Sequence, residues 1–226
     1  MNTTERAGRD WSTLLVNLSI AVAMLTVAGG YALKLVADSD RDLDTPVSEL
    51  ASARFDSLAS AGYRLGPVGA PAALVVFTDY QCPSCQKFEE RLAEVRVLVE
   101  HPFTVVIRHA PLSRIHPQAR GAAVAADCAG EVDRFEAMHN RLFEDGSSVK
   151  AEEWSRLGDH AGVRDSSRFA RCVAAGAPSV LARDSIAAAS IELRGTPTLV
   201  SRQLVVPGVP PVEELARMIR KSLESQ

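Results

Sequence analysis

The apolar, β-branched run AALVVFTD (residues 72–79) reaches a cysteine within three residues and a second three further on, and a charged stretch, QKFEERLAEVRVLVE, follows them at once. A short apolar run with turn signals on both sides reads as a buried strand. The stretch after the cysteines spaces Phe88, Leu92, Val95 and Val99 at helical intervals, with charges between them. FTVVIRHAPL (103–112) supplies a second strand. Residues 117–190 are helical in pattern, strand character returns at TPTLVSRQLVVPG, and PVEELARMIRKSLESQ closes with a helix opened by Pro211. Strand, helix, strand, several helices, hairpin, helix is the order of a mixed α/β domain with a helical insertion.

Ahead of the domain, Leu14 to Val36 read LLVNLSIAVAMLTVAGGYALKLV, 23 residues whose only charge is Lys34. As a helix this run is about 34 Å long, enough to cross a hydrocarbon core of about 30 Å. Arg6 and Arg9 precede it and the acidic DSDRDLD follows, which puts the N-terminus in the cytoplasm and the rest outside. Cleavage is the competing reading, since VAGGYA offers small residues, but the run is longer than a usual secretory h-region. The expected organisation is therefore a cytoplasmic N-terminus (1–10), a transmembrane signal-anchor (11–36) and a juxtamembrane linker with a short helix (37–66). The α/β domain follows (67–226), with its helical insertion at about 113–190. The localisation expected is the cell membrane, single-pass, with the C-terminal domain extracytoplasmic. A net charge of −3 and the lack of any basic run give no electrostatic case for nucleic acid.

Four cysteines stand at 82, 85, 128 and 172. An even count fits two disulfides, four thiols or a metal site. Zinc sites usually pair one close doublet with another, whereas Cys128 and Cys172 are 44 residues apart. A purely structural 82–85 disulfide closes so short a loop that it constrains little chain entropy. Redox chemistry suits the pair better. At a strand-to-helix junction the first sulfur sits at the helix N-terminus, where unpaired N–H groups and the helix dipole favour an anion. Pro83 fits the first helical turn, having no N–H to leave unpaired. Cys82 is thus expected as the exposed, reactive thiolate and Cys85, one turn on, as the buried resolving thiol. His109, His116, His139 and His160 form no second site and read as surface or satisfied residues. Trp154, Phe135 and Phe143 read as packing residues. No metal and no cofactor is expected.

FTDYQCPSCQKFE, VVIRHAPLSRIHPQARGAAVAADCA, FEAMHNRLFED, SSRFARCVAAG and GTPTLV, in that order, resemble the DsbA-like branch of the thioredoxin superfamily over residues 68–222. The resemblance implies a thioredoxin-like fold with a helical insertion, here preceded by one N-terminal transmembrane helix. It implies thiol–disulfide exchange, with Cys82 as nucleophile, Cys85 as its partner and Pro197 as a cis-proline facing them. Pro83, Ser84, Thr196 and Pro197 would shape the substrate groove, and Cys128 and Cys172 would form a structural disulfide. The partners implied are cysteine-containing exported proteins and a membrane redox protein that renews the active-site pair, in the oxidising direction. A reductase or isomerase of the same fold and a non-catalytic binding module are the alternatives. Three positions depart from the family pattern. Val76 stands where many relatives carry a buried carboxylate, which leaves Asp79 as the nearest acid. The Pro-Ser dipeptide lacks a histidine and implies a weaker oxidant than a Pro-His form. Arg202-Gln203 replaces an Asn-Gly turn, which puts the shape of that hairpin in question.

Overall fold

In the computed structural model, which describes residues 15–16, 52–145 and 154–224, the chain opens with helix α1 (Ser52–Ala59) and strands β1 (Tyr63–Leu65) and β2 (Ala72–Thr78). Helix α2 (Pro83–Leu98) and strand β3 (Thr104–His109) come next. Helices α3 (Ala119–Gly130), α4 (Phe135–Asp145), α5 (Trp154–His160), α6 (Ser166–Ala175) and α7 (Pro178–Ser190) follow. Strands β4 (Thr198–Val200) and β5 (Val205–Pro207) and helix α8 (Val212–Glu224) complete the fold. The expected span 11–36 lies outside the described residues, Leu15 and Val16 apart. Among the described residues no helix is long and apolar enough to cross a membrane.

The five strands form one sheet in the order β1-β3-β2-β4-β5, with β2 parallel to β3 and every other pairing antiparallel. Side chains alternate between the faces of a strand, and β2 is covered on both. Leu74 and Val76 join Phe88, Leu92 and Val95 of α2 and Leu215 and Ile219 of α8. Val75 and Phe77 join Phe55 and Leu58 of α1 and Ala187 of α7. A strand buried on both faces has no polar alternation to display, which is why its sequence is a continuous apolar run. Each side chain the size of Phe77 or Phe88, both fully buried, contributes roughly 1.5–3 kcal/mol.

Strand β1 falls in GYRLGPVGAP, which reads as turn-rich in the sequence. Its three residues are too few for an alternation to show. Gly62 lets it approach β3, because a Cβ there would lie 2.5 Å from Val106 Cγ1 and 2.6 Å from the Ile107 carbonyl oxygen. The β4–β5 hairpin forms without an Asn-Gly turn. Ser201 N–H donates to the Leu204 carbonyl (2.9 Å), and the Ser201 hydroxyl accepts from the Leu204 and Gln203 amides (3.0 and 3.3 Å). Arg202 then reaches back to Asp56 at 2.8 Å and lies over the Phe55 ring.

In the helical block α3 packs through small side chains, with Ala119, Ala122, Ala123, Ala125, Ala126 and Ala129 all buried. Phe135, Phe143 and Trp154 join the same core, as packing residues. A disulfide joins Cys128 of α3 to Cys172 of α6 across 44 residues. Closing a loop of that length contributes about 4 kcal/mol in the chain-entropy account.

One buried ion pair ties this block to the sheet. Arg108 of β3, 2% exposed, donates from Nε to Asp184 Oδ1 of α7 at 2.7 Å and from Nη1 to the Leu58 carbonyl of α1 at 2.9 Å. Asp184 Oδ2 accepts the His109 amide at 2.7 Å. Removing one member of such a pair strands the other charge out of water. Asp184→Ala is therefore expected to cost roughly 3–5 kcal/mol in urea unfolding; a loss below about 1 kcal/mol would contradict a buried, coupled pair.

Candidate active site

The end of β2 and the start of α2 place the two cysteines. Cys82 is the N-cap residue of α2, with extended backbone (φ −80°, ψ 119°), and Pro83 occupies the first turn. The Cys82 carbonyl accepts the Cys85 and Gln86 amides at 3.0 and 3.2 Å, which starts the helix. Cys85 follows one turn on, facing inward. Both are free thiols.

Across from them stands the Thr196–Pro197 peptide, which is cis. Cys82 Sγ donates to the Thr196 carbonyl oxygen at 3.3 Å. β4 pairs antiparallel with β2, Thr198 opposite Phe77, so the chain just before β4 lies beside the chain just after β2. The site therefore brings together Cys82, Cys85, Thr196 and Pro197, with Pro83 and Ser84 exposed on the first turn of α2. Cys128 and Cys172 lie apart from it in the helical block. Cys82 itself is only 8% exposed. Its expected exposure is corrected by the Thr196 loop, whose carbonyl lies against the sulfur.

Cys85 has no exposed surface. Burial pushes its thiol up to about 12, against the opposing effect of hydrogen bonds from Thr78, the Asp79 amide and Thr196. The Asp79 N–H lies 3.5 Å from Cys85 Sγ.

The Asp79 carboxylate serves a different purpose. Its Oδ1 accepts the Gln81 amide at 2.8 Å, while Oδ2 accepts the Leu112 amide and meets His116 Nδ1, each at 2.8 Å. Gln81 Oε1 in turn accepts the Gln118 amide at 2.6 Å. These bonds fasten the β3–α3 connection to the cysteine turn. None of these side-chain bonds goes to a cysteine sulfur.

Behind the turn lies a ring cluster that the sequence reading missed: Tyr63, Tyr80, His109, Phe135, His139 and Phe143, with neighbouring centroids 3.9–6.4 Å apart. Tyr80 Oη meets His139 Nδ1 at 3.1 Å, and His139 Nε2 lies 3.4 Å from Glu89 Oε1. Burial, reinforced by Glu89, holds the Tyr80 hydroxyl well above the ordinary tyrosine range. Tyr63 Oη donates to Asp127 Oδ1 at 2.6 Å. The sequence carried no signal for it, because Tyr63 of β1, Tyr80 of the β2–α2 turn, His109 of β3 and His139 of α4 are united only by the fold. His116 and His139 are partnered, and His160 is exposed. His109 departs from the expected surface or satisfied positions: it is buried and neither ring nitrogen has a hydrogen-bond partner.

Among the described residues no group of three or more His, Cys, Asp or Glu is placed to hold a metal ion. A surface hollow lined by Pro71, His101, Pro102, Arg220, Leu223 and Glu224 lies toward the start of β2, away from the cysteines at its other end.

A Cys-x-x-Cys at a helix N-terminus, opposed by a cis-proline on an α/β sheet, defines a class of thioredoxin-fold proteins. A family model described as thioredoxin matches residues 59–221, and the chain belongs to that family. Among solved structures, a thioredoxin-like oxidoreductase from Silicibacter pomeroyi is 24% identical, covering 76% of this chain and 98% of its own, with a TM-score of 0.65. Oxidised BdbD from Bacillus subtilis is 22% identical, covering 73% and 94%, with a TM-score of 0.61. These share the fold. The Na(+)/H(+) antiporter NhaA 1 of Mycolicibacterium vanbaalenii is 33% identical over 137 residues, which is 59% of this chain. The matched stretch spans only 22% of that much longer relative.

His109 provides a pH test of the packing behind the turn. Burial pushes its imidazole down to about 4 from an ordinary 6.5; Asp184 opposes this, while His139, Arg108 and Arg183 add to it. As pH falls, the unfolded chain takes up a proton near 6.5 that the folded chain refuses until about 4. Stability is therefore lost between about pH 6.5 and 4, by roughly 3 kcal/mol from this residue. His109→Leu is expected to flatten that part of the stability–pH curve by a similar amount, measured by urea unfolding at each pH. Parallel curves for the two proteins would contradict a neutral, buried imidazole.

Proposed function

We propose that this protein is a thiol–disulfide oxidoreductase that exchanges disulfides with cysteines of exported proteins through its Cys82-Pro83-Ser84-Cys85 centre, in the oxidising direction. The observation that carries this reading is the placement of the pair: Cys82 caps α2 beside the Thr196 carbonyl, and Cys85 lies one turn deeper without solvent contact. Such a pair can run a two-step exchange. A substrate thiolate attacks Cys82 Sγ of the Cys82–Cys85 disulfide, and Cys85 leaves as the thiolate. The substrate's second thiolate then attacks its own sulfur in the mixed disulfide and releases Cys82. The helix N-terminus favours negative charge at Cys82 at that moment. Pro83, Ser84, Thr196 and Pro197 line the place where a substrate chain would lie.

The same reading places the domain outside the cytoplasm, tethered by residues 11–36, with a membrane redox partner that renews the disulfide. The apolar N-terminal run supports it. No cofactor enters the exchange, because the electrons travel as sulfur–sulfur bonds.

The test uses the full chain. Cys85→Ser is expected to accumulate mixed disulfides with a reduced, cysteine-containing substrate protein after oxidation, seen as a reducible mass increase on a non-reducing gel. Cys82→Ser should give none, and either change should reduce oxidation of a dithiol peptide to the rate without protein. A Cys82→Ser protein that still oxidised the peptide would contradict the reading and favour a binding module with incidental cysteines.

A further inference from the structure

Strand β2 turns alternate side chains toward α2, and Leu74 and Val76 on that face lie in the same apolar cluster as Cys85 and Phe88. The next residue of that row, Thr78, is the polar one. It is 1% exposed, and its hydroxyl has no hydrogen-bond partner. A buried hydroxyl without a partner is costly, by about 1–3 kcal/mol, unless it has a use. Thr78 continues the face of β2 on which Val76 packs with Cys85, its neighbour Asp79 brings its amide to 3.5 Å from the Cys85 sulfur, and the hydroxyl is near enough to lower the pKa of that thiol. The Thr196 hydroxyl, also buried and without a hydrogen-bond partner, acts on the Cys85 thiol in the same sense. The Asp79 amide, 3.5 Å from that sulfur, is the third donor beside it. Val76, the preceding residue on this face, has no group that can give or take a proton.

The chemistry needs such a set. When a substrate thiolate attacks Cys82, the Cys82–Cys85 bond breaks and its electron pair leaves on Cys85 Sγ, in a place with no exposed surface. The substrate becomes joined to Cys82. In the second displacement the substrate closes its own disulfide and the electron pair leaves on Cys82. The substrate is oxidised by two electrons, the protein disulfide is reduced by two, and the two thiol protons of the substrate end on Cys85 and Cys82. A bare thiolate at Cys85 would carry the full cost of desolvation in the first step. Donors fixed in place before the charge appears stabilise it without reorganisation.

We infer that Thr78 is a catalytic residue of this exchange, its hydroxyl donating to the Cys85 sulfur as that sulfur leaves. The inference rests on the oxidoreductase reading and adds to it a residue outside the Cys-x-x-Cys and the cis-proline loop. The mechanism it describes is neutral: Thr78 gives a hydrogen bond and takes no proton.

The test compares wild type, Thr78→Val and Thr78→Ser, all as full-length chains in the disulfide form. Each is opened by reduced glutathione, quenched with acid and resolved by mass. Thr78→Val is expected to open more slowly by roughly tenfold, the size of a lost hydrogen bond to a charged group. Thr78→Ser, which keeps the hydroxyl, should lie within about threefold of wild type on the same ground. Alkylation of Cys82 in the reduced proteins is the second readout. It should differ by less than about twofold, since Cys82 Sγ is paired with the Thr196 carbonyl rather than with Thr78. Equal opening rates for wild type and Thr78→Val would overturn the inference. So would a loss that affects opening and alkylation alike and is not restored by serine, which would mark a packing role. A wild-type disulfide that glutathione did not open would overturn the oxidoreductase reading, and this inference with it.

Discussion

A buried carboxylate holds the junction on which the site depends. Asp79 lies between β2 and α2, and its two oxygens take the Gln81 and Leu112 amides and meet His116. Hydrogen bonds to a charged acceptor are worth about 1.5–3 kcal/mol each, so this one side chain fixes both the turn before Cys82 and the connection after β3. The same residue's amide points at Cys85. Everything nearer the sulfurs is built on that frame: the start of α2 at Pro83, the inward turn of Cys85, and the approach of the Thr196 loop to Cys82.

The two cysteines are separated by environment more than by sequence. Both border the apolar cluster of Val76 and Phe88, but Cys82 sits at a helix N-terminus against a carbonyl and keeps 8% exposure, while Cys85 has none. Burial raises the thiol of Cys85 to about 12, which suits a group that holds charge only while a bond is changing. The ring cluster behind the turn contributes packing and a chain of polar contacts from Tyr80 through His139 to Glu89. Arg108 and Asp184 anchor the opposite face, where α1 and α7 cover β2 and β3.

Much of this was legible in the chain. The apolar run before the cysteines announced a strand covered on both faces, and the spacing of Phe88, Leu92 and Val95 announced the helix that covers one of them. Pro83 marked the helix start. Other features were hidden for physical reasons. Strand β1 has three residues and exists because β3 is beside it. Asp79 looked like a strand-end acid because its partners, Leu112 and His116, come from a connection over thirty residues away. Thr78 looked like one more β-branched strand residue, since its meaning depends on which face the register turns toward Cys85. The hairpin at Arg202-Gln203 survived an unfavourable turn sequence because the Ser201 hydroxyl supplies the acceptor.

What remains is the direction in which the pair works, and this is a matter of relative stability of the dithiol and the disulfide. The proposed oxidising direction rests on the N-terminus of α2, whose dipole favours negative charge beside Cys82, while the absence of histidine between the cysteines moderates that effect. The most direct measurement is the reduction potential of Cys82–Cys85 in the full chain, equilibrated in glutathione buffers. The account predicts a value between about −180 and −120 mV, in the range of disulfide donors. A value near −270 mV, that of a reductant, would contradict it.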